Sequence, residues 1–500
     1  MKSRTALSAL AVCAVCVVLA PLAGCGGDGT DHEAPVSGSP AESPAPTAGT
    51  TSNAPGREVP VPEVPVPVPG APAQSRSPAP GKGSKDPDDI NGDGYRDFML
   101  SLPGGERVAV LYGSAKGLDP STRTVYRRRD LGLPEPQKGV AAFEGALPDT
   151  VADLDGDGFP DFVTTARDTY VETPSDEDYR TAPYVTWGGP GGPAAKGGAS
   201  AVRLPRSVTR LGLQYVVRGD FDGDGHPDLA GRARTELALG DETPLVVLYG
   251  PFARSGVPTR TDTGLRLPED GDLVVDAIDP SGKPRATSLL LHASNDGEQS
   301  GNTLYPARRG TGLSANGKEL RAGNAHAFGD FDGDGQRDVA VGDDGGHNNE
   351  PDSDTTSSEV IGSLDVYPGS GGEPVEYRLP EAPEGAGTDY GPGGYVAADP
   401  DGDGRDGILV ATYEGATFID GDQRTPVQRN VRKGPEKSRH TRPAGAADFD
   451  GDGKDELILN WGSGQLFATY GENPTHWWIT DGTTSRDKAS FAATALAPRS

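Results

Sequence analysis

The sequence predicts an all-β chain whose main body is a seven-bladed β-propeller with calcium loops. Three observations predict it. A nine-residue acidic turn of the form Asp-x-Asp-Gly-Asp-Gly-x-x-Asp recurs through residues 86–500. Its copies start 64, 67, 110, 69 and 49 residues apart, a repeat period of the kind found in propellers and arrays. Each copy lies between short apolar strands bounded by turn residues, the make-up of four-stranded blades.

The loop at 220–228 sets the chemistry. Asp220, Asp222, Asp224 and Asp228 place carboxylates at positions 1, 3, 5 and 9, and His226 at position 7 offers its backbone carbonyl. Alternate residues of a tight loop turn their oxygens inward, and a hard cation such as Ca²⁺ takes six to eight of them. Gly225 at position 6 supplies a turn that a side chain would obstruct. Without a cation, four carboxylates in one loop repel each other.

The other copies follow the same scheme. Asp153, Asp155, Asp157, Phe159 and Asp161 form a complete one, as do Asp330, Asp332, Asp334, Gln336 and Asp338. Asp89, Asn91, Asp93, Tyr95 and Asp97 form a fourth, with an amide oxygen at position 3. These four loops are assigned calcium. Two more are altered at the end and count as further calcium candidates. In Asp399, Asp401, Asp403 and Arg405 the last carboxylate has slipped to Asp406 at position 8, and in Asp448, Asp450, Asp452 and Lys454 position 9 is the longer Glu456. Position 12 holds Leu100, Gly231 or Val341, which excludes an EF-hand.

The gap of 110 residues hides one more repeat. Residues 277–285 keep Asp279 at position 3 and Gly282 at position 6 but lose the other ligands, and Arg285 stands at position 9. This loop is predicted empty, with the Arg285 charge partly replacing a cation. Strands precede the loops (Tyr215-Val216-Val217, His326-Ala327-Phe328, Tyr395–Ala398) and follow them (Phe162-Val163-Thr164, Leu457-Ile458-Leu459). An aromatic beside a glycine then recurs, in Tyr112-Gly113, Trp187-Gly188, Tyr249-Gly250, Tyr367-Pro368-Gly369 and Tyr470-Gly471.

With these loops, the preceding Phe328-Gly329 and the strand leading into Gly113-Ser114-Ala115-Lys116-Gly117-Leu118, the chain resembles the FG-GAP (VCBS, integrin-α-like) repeat family over residues 86–500. The resemblance implies that the calcium loops share one face of the ring with the turns between third and fourth strands. The turns between second and third strands then lie on the opposite face. Two of these are long, Arg167–Pro183 and Asp343–Glu359. The first carries Tyr170 and Tyr179, with Tyr184 nearby, and is the preferred ligand face because loops of this length are functional or disordered.

Residues 1–24 read as a lipoprotein signal peptide, with Lys2 and Arg4 ahead of an apolar run from Ala6 to Ala20. Leu22-Ala23-Gly24-Cys25 resembles a lipobox, which makes Cys25 the lipidated first residue of an extracellular chain of Gram-positive type. Cys13 and Cys16 fall within the signal, so the mature domain has no disulfide. Residues 25–85 form a Pro/Gly/Ser-rich tether that cannot bury enough surface to order itself. Its Val59–Pro69 run is a stiff polyproline spacer.

Blade one has no strand before Asp89, and the tail at 488–496 reads as a first strand without a loop. The expectation is that this C-terminal strand closes the first blade. The formal charge of −28 disfavours nucleic acid, although five or six bound Ca²⁺ would offset 10 to 12 of those units. Arg429, Arg432, Lys433, Lys437, Arg439, His440 and Arg442 form the one basic stretch, a solvated loop or a patch for an anionic polymer. There is no GxSxG, HExxH or phosphate-binding glycine loop with Lys, and the seven His are scattered.

The function expected from sequence is a cell-surface-tethered, calcium-stabilised, monomeric module that binds a protein or an envelope polymer without catalysis. The alternative is a carbohydrate-binding or lyase-like propeller that uses its central funnel.

Overall fold

The computed structural model describes residues 80–496 except 104, 106, 136–147, 173–176, 195–197, 235–241, 269–270, 294–298, 346–359, 381–393, 413–414, 430–440, 463–464, 467–468 and 471–473. The signal peptide, Cys25 and nearly all of the tether lie outside the described residues. So do most of the Asp343–Glu359 loop and residues 430–440 of the basic stretch.

Seven antiparallel sheets follow one another along the chain. Blade 1 is β1 (Phe98–Ser101), β2 (Arg107–Leu111) and β3 (Arg123–Arg127). Blade 2 is β4 (Thr150–Ala152), β5 (Asp161–Glu172), β6 (Glu177–Thr186) and β7 (Ser200–Ala201). Blade 3 is β8 (Leu213–Gly219), β9 (Asp228–Ala233) and β10 (Glu242–Tyr249), with β11 (Arg260–Asp262) and β12 (Arg266–Pro268) both on the edge of β10. Blade 4 runs β13 (Asp272–Val275), β14 (Leu289–His292) and β15 (Ser300–Tyr305). A small hairpin, β16 (Ala307–Arg308) and β17 (Gly312–Leu313), precedes its outer strand β18 (Lys318–Gly323).

Blade 5 is β19 (Ala325–Gly329), β20 (Asp338–Gly342), β21 (Ser363–Tyr367) and β22 (Val375–Arg378). Blade 6 is β23 (Tyr395–Ala398), β24 (Gly407–Thr412), β25 (Gly415–Asp420) and β26 (Gln423–Pro426). Blade 7 begins with β27 (Arg442–Ala447) and β28 (Glu456–Gly462), then a side hairpin of β29 (Gln465–Leu466) and β30 (Thr469–Tyr470). It ends with β31 (Pro474–Thr480), β32 (Asp487–Ala492) and the short turn α1 (Ala493–Leu496).

Each blade has one apolar face for each neighbour, so the core divides into interfaces between blades. Phe162 packs edge-on against Tyr126, Leu229 shares a cluster with Val185, and Leu289 with Val247. Val339 shares a cluster with Leu290, Ile408 with Val366, and Leu459 with Leu409. The last interface closes the ring: Phe449, Ile458, Trp477 and Phe491 of blade 7 pack with Leu100, Ala109 and Leu111 of blade 1. First strands of successive blades touch (β4 with β8, β8 with β13, β19 with β23, β23 with β27), which places them around the axis.

Three sequence expectations change. The C-terminal strand does not pair in the first blade: β32 is the outer strand of blade 7, in register with β31. Closure comes from the turn after it, where Leu496 is buried against blade 1 and its carbonyl accepts a 2.9 Å bond from Arg123 Nε. Tyr470 does not end a third strand, because β29 and β30 form a separate hairpin and β31 takes that place, while Gly471 lies outside the described residues. The Arg167–Pro183 segment is largely strand: β5 and β6 pair from Phe162↔Thr186 to Glu172↔Glu177 and form a projecting arm.

Candidate metal loops and ligand face

The six acidic loops share one backbone template. The Oδ2 of the position 1 Asp accepts the position 6 glycine N–H in every copy: Gly94 at 2.7 Å, Gly158 at 2.9, Gly225 at 3.1, Gly335 at 2.9, Gly404 at 2.8 and Gly453 at 2.8. The position 5 Asp accepts the N–H of position 7, from Tyr95, Phe159, His226, Gln336, Arg405 and Lys454, at 2.8–3.1 Å. Position 6 is left-handed throughout, with φ between 82° and 96°, which only glycine adopts freely.

Position 9 opens the second strand and is buried in all four complete loops. One oxygen of Asp97, Asp161, Asp228 and Asp338 accepts the position 2 N–H, from Ile90, Leu154, Phe221 and Phe331, at 2.8–2.9 Å. The other accepts the N–H of the glycine that ends the third strand: Gly113 at 3.0 Å, Gly188 at 2.7, Gly250 at 2.8 and Gly369 at 2.8. This is the role of the recurring aromatic-glycine pair. A Cβ on any of these glycines would meet the position 8 carbonyl, at 2.2 Å from Arg96, 2.3 from Pro160, 2.5 from Pro227 and 2.3 from Arg337.

One oxygen from each of three carboxylates converges within 4.8 Å in Asp153/Asp155/Asp161, Asp220/Asp222/Asp228, Asp330/Asp332/Asp338, Asp399/Asp401/Asp403 and Asp448/Asp450/Glu456. The loop at 89–97 lacks such a triad because Asn91 stands at position 3 and donates to Asp93 Oδ2 at 2.9 Å. Burial pushes the carboxyls of Asp97, Asp161 and Asp228 up to about 8; backbone N–H groups oppose the rise and neighbouring loop carboxylates add to it. Oδ1 atoms of Asp222, Asp330 and Asp450 are buried without a hydrogen-bond partner. An all-oxygen set with orphaned anionic oxygens, as at 220–228 and 330–338, fits a hard divalent cation.

The altered loops differ from their sequence reading. Asp406 is not a displaced ligand of its own loop. Its Oδ2 accepts the Asp330 N–H of blade 5 at 2.8 Å and pairs with Arg337 at 2.9 Å. Position 9 there is Gly407, so 399–407 keeps only positions 1, 3 and 5. The same clasp joins Asp455 Oδ2 to the Asp399 N–H at 2.9 Å, and Thr287 Oγ1 to the Asp220 N–H at 2.8 Å. The residue just before the second strand, position 8 in 399–407 and 448–456, thus ties each of these loops to the previous blade.

In the 277–285 segment, Asp276 N–H bonds the Ser288 carbonyl, so Ser288, not Arg285, opens the second strand. The loop is longer than the calcium type. Arg285 pairs with Asp276 and donates to the Ala277 carbonyl at 2.5 Å, as an internal charge partner would. Asp279 Oδ1 accepts from Ser281 N–H at 2.9 Å and Ser281 Oγ at 2.6 Å, within its own turn.

Residues 81–88 cross the loop face. Gly81 and Gly83 donate to the carbonyls of Asn91 and Gly92 at 2.9 and 3.1 Å, and Ser84 to Gly158 at 2.8 Å. Lys85 packs on Gly282 of blade 4, Asp86 pairs with Arg96 at 2.7 Å, and Asp88 pairs with Arg218 of blade 3 at 2.8 Å. Pro-rich sequence gave no signal for this segment; its Asp residues were the only hint.

On the opposite face the β5–β6 arm projects. β5 has 12 residues where β20 has 5, so the arm extends roughly 20 Å farther at about 3.3 Å per residue. Tyr170 and Tyr179 are cross-strand partners with ring centroids 4.8 Å apart, and Arg167 lies 5.1 Å over the Tyr179 ring. Tyr184 instead packs into the core between blades 1 and 2. Of the basic stretch, Arg442 is buried in β27 and Arg429 pairs with Asp487 at 2.7 Å, so neither belongs to an open patch.

No family model matches the chain, and no curated protein matches it. Among solved structures it is similar to an Agrocybe aegerita lectin that recognises non-reducing terminal N-acetylglucosamine, at 13% identity and a TM-score of 0.35, over 67% of this chain and 84% of that one. It is similar to BBS1N in complex with ARL6DN at 13% identity and a TM-score of 0.33, over 70% and 93%. The V. cholerae biofilm matrix protein Bap1 aligns at 10% identity and a TM-score of 0.24, over 81% and 84%.

Proposed function

We propose that this chain is a calcium-stabilised, FG-GAP-like propeller that binds an extracellular protein or envelope polymer through the β5–β6 arm, without catalysis. Asp89, Asp93 and Asp97 with Asn91, and the Asp sets of 153–161, 220–228 and 330–338, would hold calcium; 399–407 would hold it with three carboxylates. Bound calcium supplies the positive charge that lets these carboxylates stay ionised, and so braces the turns on one face. The opposite face is then free to present its arm on a rigid ring, and lipid on Cys25 would hold the whole at the outer membrane surface.

The observation that carries the reading is the Tyr170–Tyr179 pair, held cross-strand on a hairpin longer than the fold requires. Aromatic rings fixed on strands give large contact area with little ordering entropy to lose on binding.

The test is a cell-surface pull-down and a glycan panel, each run in calcium and in chelator. The partners are the intact chain and a variant with residues 168–178 replaced by a short Gly-Ser turn. Binding that needs calcium and disappears with the arm supports the proposal. A trimmed chain that binds as well as the intact one, or glycan binding indifferent to the arm, would move the site to the ring axis.

A further inference from the structure

We propose that the seventh loop carries its own cation: the Lys488 ammonium fills, at 448–456, the place that calcium takes in the other loops, and this loop binds no calcium. The inference rests on the calcium reading above. Lys488 Nζ donates to Asp450 Oδ2 at 2.6 Å and to Glu456 Oε1, and lies 3.9 Å from Asp481 Oδ1. It therefore spans positions 3 and 9 of the loop with two hydrogen bonds, and Asp481 adds a longer ionic contact.

The chain is built to put it there. The pairing of β31 with β32 slips between Ile479↔Ala489 and Thr480↔Asp487, which leaves Lys488 as the extra residue of a bulge. A bulge of this kind re-aims one side chain. The stem of Lys488 reaches Gly117 of blade 1, and the side chain is only 17% exposed.

The other end of the site is changed to match. In four blades a third-strand glycine N–H takes the free oxygen of position 9. In blade 7 the residue is Glu456: its Oε2 keeps the Phe449 N–H at 2.9 Å, and Oε1 receives Lys488 instead. The longer side chain reaches outward to the ammonium.

Cations near the second and third loops sit differently. Arg254, with its side chain 55% exposed, contacts Asp155 and Asp157; Arg260, 48% exposed, contacts Asp222. Neither touches position 9, so both are outer partners that a calcium ion can share. A tethered ammonium is present at every calcium concentration, whereas extracellular loops of this type bind calcium at about 10⁻⁴ to 10⁻³ M.

The experiment counts bound calcium on the full-length chain, at millimolar free calcium, by equilibrium dialysis with elemental analysis. D450N is expected to leave the wild-type count unchanged, K488M to raise it by one, and K488M/D450N to return it to the wild-type value. A D450N protein that loses one calcium overturns the proposal, as does a folded K488M protein whose count does not rise. Should K488M fail to fold, D450N alone decides. D222N separates this inference from the reading beneath it. It is expected to bind one calcium fewer than wild type. If wild type and D222N both bind none, the calcium reading fails and this inference with it; if D222N loses one while a folded K488M gains none, this inference alone fails.

Discussion

The Asp406 carboxylate of blade 6 accepts the backbone N–H of Asp330 in blade 5 at 2.8 Å, while the Asp406 N–H returns a 3.0 Å bond to the Asp330 carbonyl. The first carboxylate of one acidic loop is thereby positioned by the neighbouring blade. Replacing Asp406 with Ala removes that acceptor and one partner of Arg337. D406A is expected to lose about 1–3 kcal/mol, and D406N, whose amide oxygen can still accept, clearly less. Urea unfolding in saturating calcium measures both.

The glycines after the third strands offer a paired test. A Cβ at Gly188 would lie 2.3 Å from the Pro160 carbonyl, while one at Gly189 meets nothing within 4 Å. G188A is expected to destabilise by about 1–3 kcal/mol, and G189A to stay within about 0.5 kcal/mol of wild type. Equal melting temperatures for the two variants would contradict the packing described.

If the loops hold calcium as proposed, calcium and protons compete for the buried position 9 carboxylates. Asp97, Asp161 and Asp228 are pushed up to about 8 by burial, above the ~3.9 of an unfolded Asp. Between those values the folded state holds protons that the unfolded state has released, so stability in chelator falls as pH rises from about 4 to 8. Bound calcium would reverse this by favouring the ionised form. Titration calorimetry near pH 7, in buffers of different ionisation enthalpy, is expected to show proton release as calcium binds.

His326 gives the opposite slope. Burial, with the neighbouring His292 adding to it, pushes its imidazole down to about 3. The rings of the two lie 4.9 Å apart, and both contact Asn302 Oδ1, at 3.1 and 2.7 Å. Unfolded His takes its proton near 6.5, so this contribution is full above that pH and lost as pH falls toward 3. In saturating calcium, H326Q is expected to be less sensitive than wild type to a shift from pH 7 to pH 5, read as the change in urea midpoint.

The loops and the repeat number were legible because their information is local: acidic residues at fixed offsets and glycines at left-handed positions. The partner of a strand is not local. The tail at 487–496 has the pattern of a strand, but only the ring decides that β32 pairs with β31 and that Leu496 reaches blade 1. Asp406 looked like a displaced ligand because position along the loop says nothing of which blade a carboxylate faces. Tyr170 and Tyr179 were visible as residues, but their stacking needed the register of β5 on β6. Lys488, 32 residues from Glu456, had no signal short of the bulge that aims it.

Residues 81–88 are fastened to loop carbonyls of blades 1 and 2, to Arg218 of blade 3 and against Gly282 of blade 4. A pull on the chain from its N-terminal side therefore meets several blades at once, loaded side by side in shear, instead of peeling one strand from one sheet. Load spread in this way resists unravelling better than the same bonds broken in sequence. A chain built like this is suited to bearing mechanical tension, and the ring would give way as a unit.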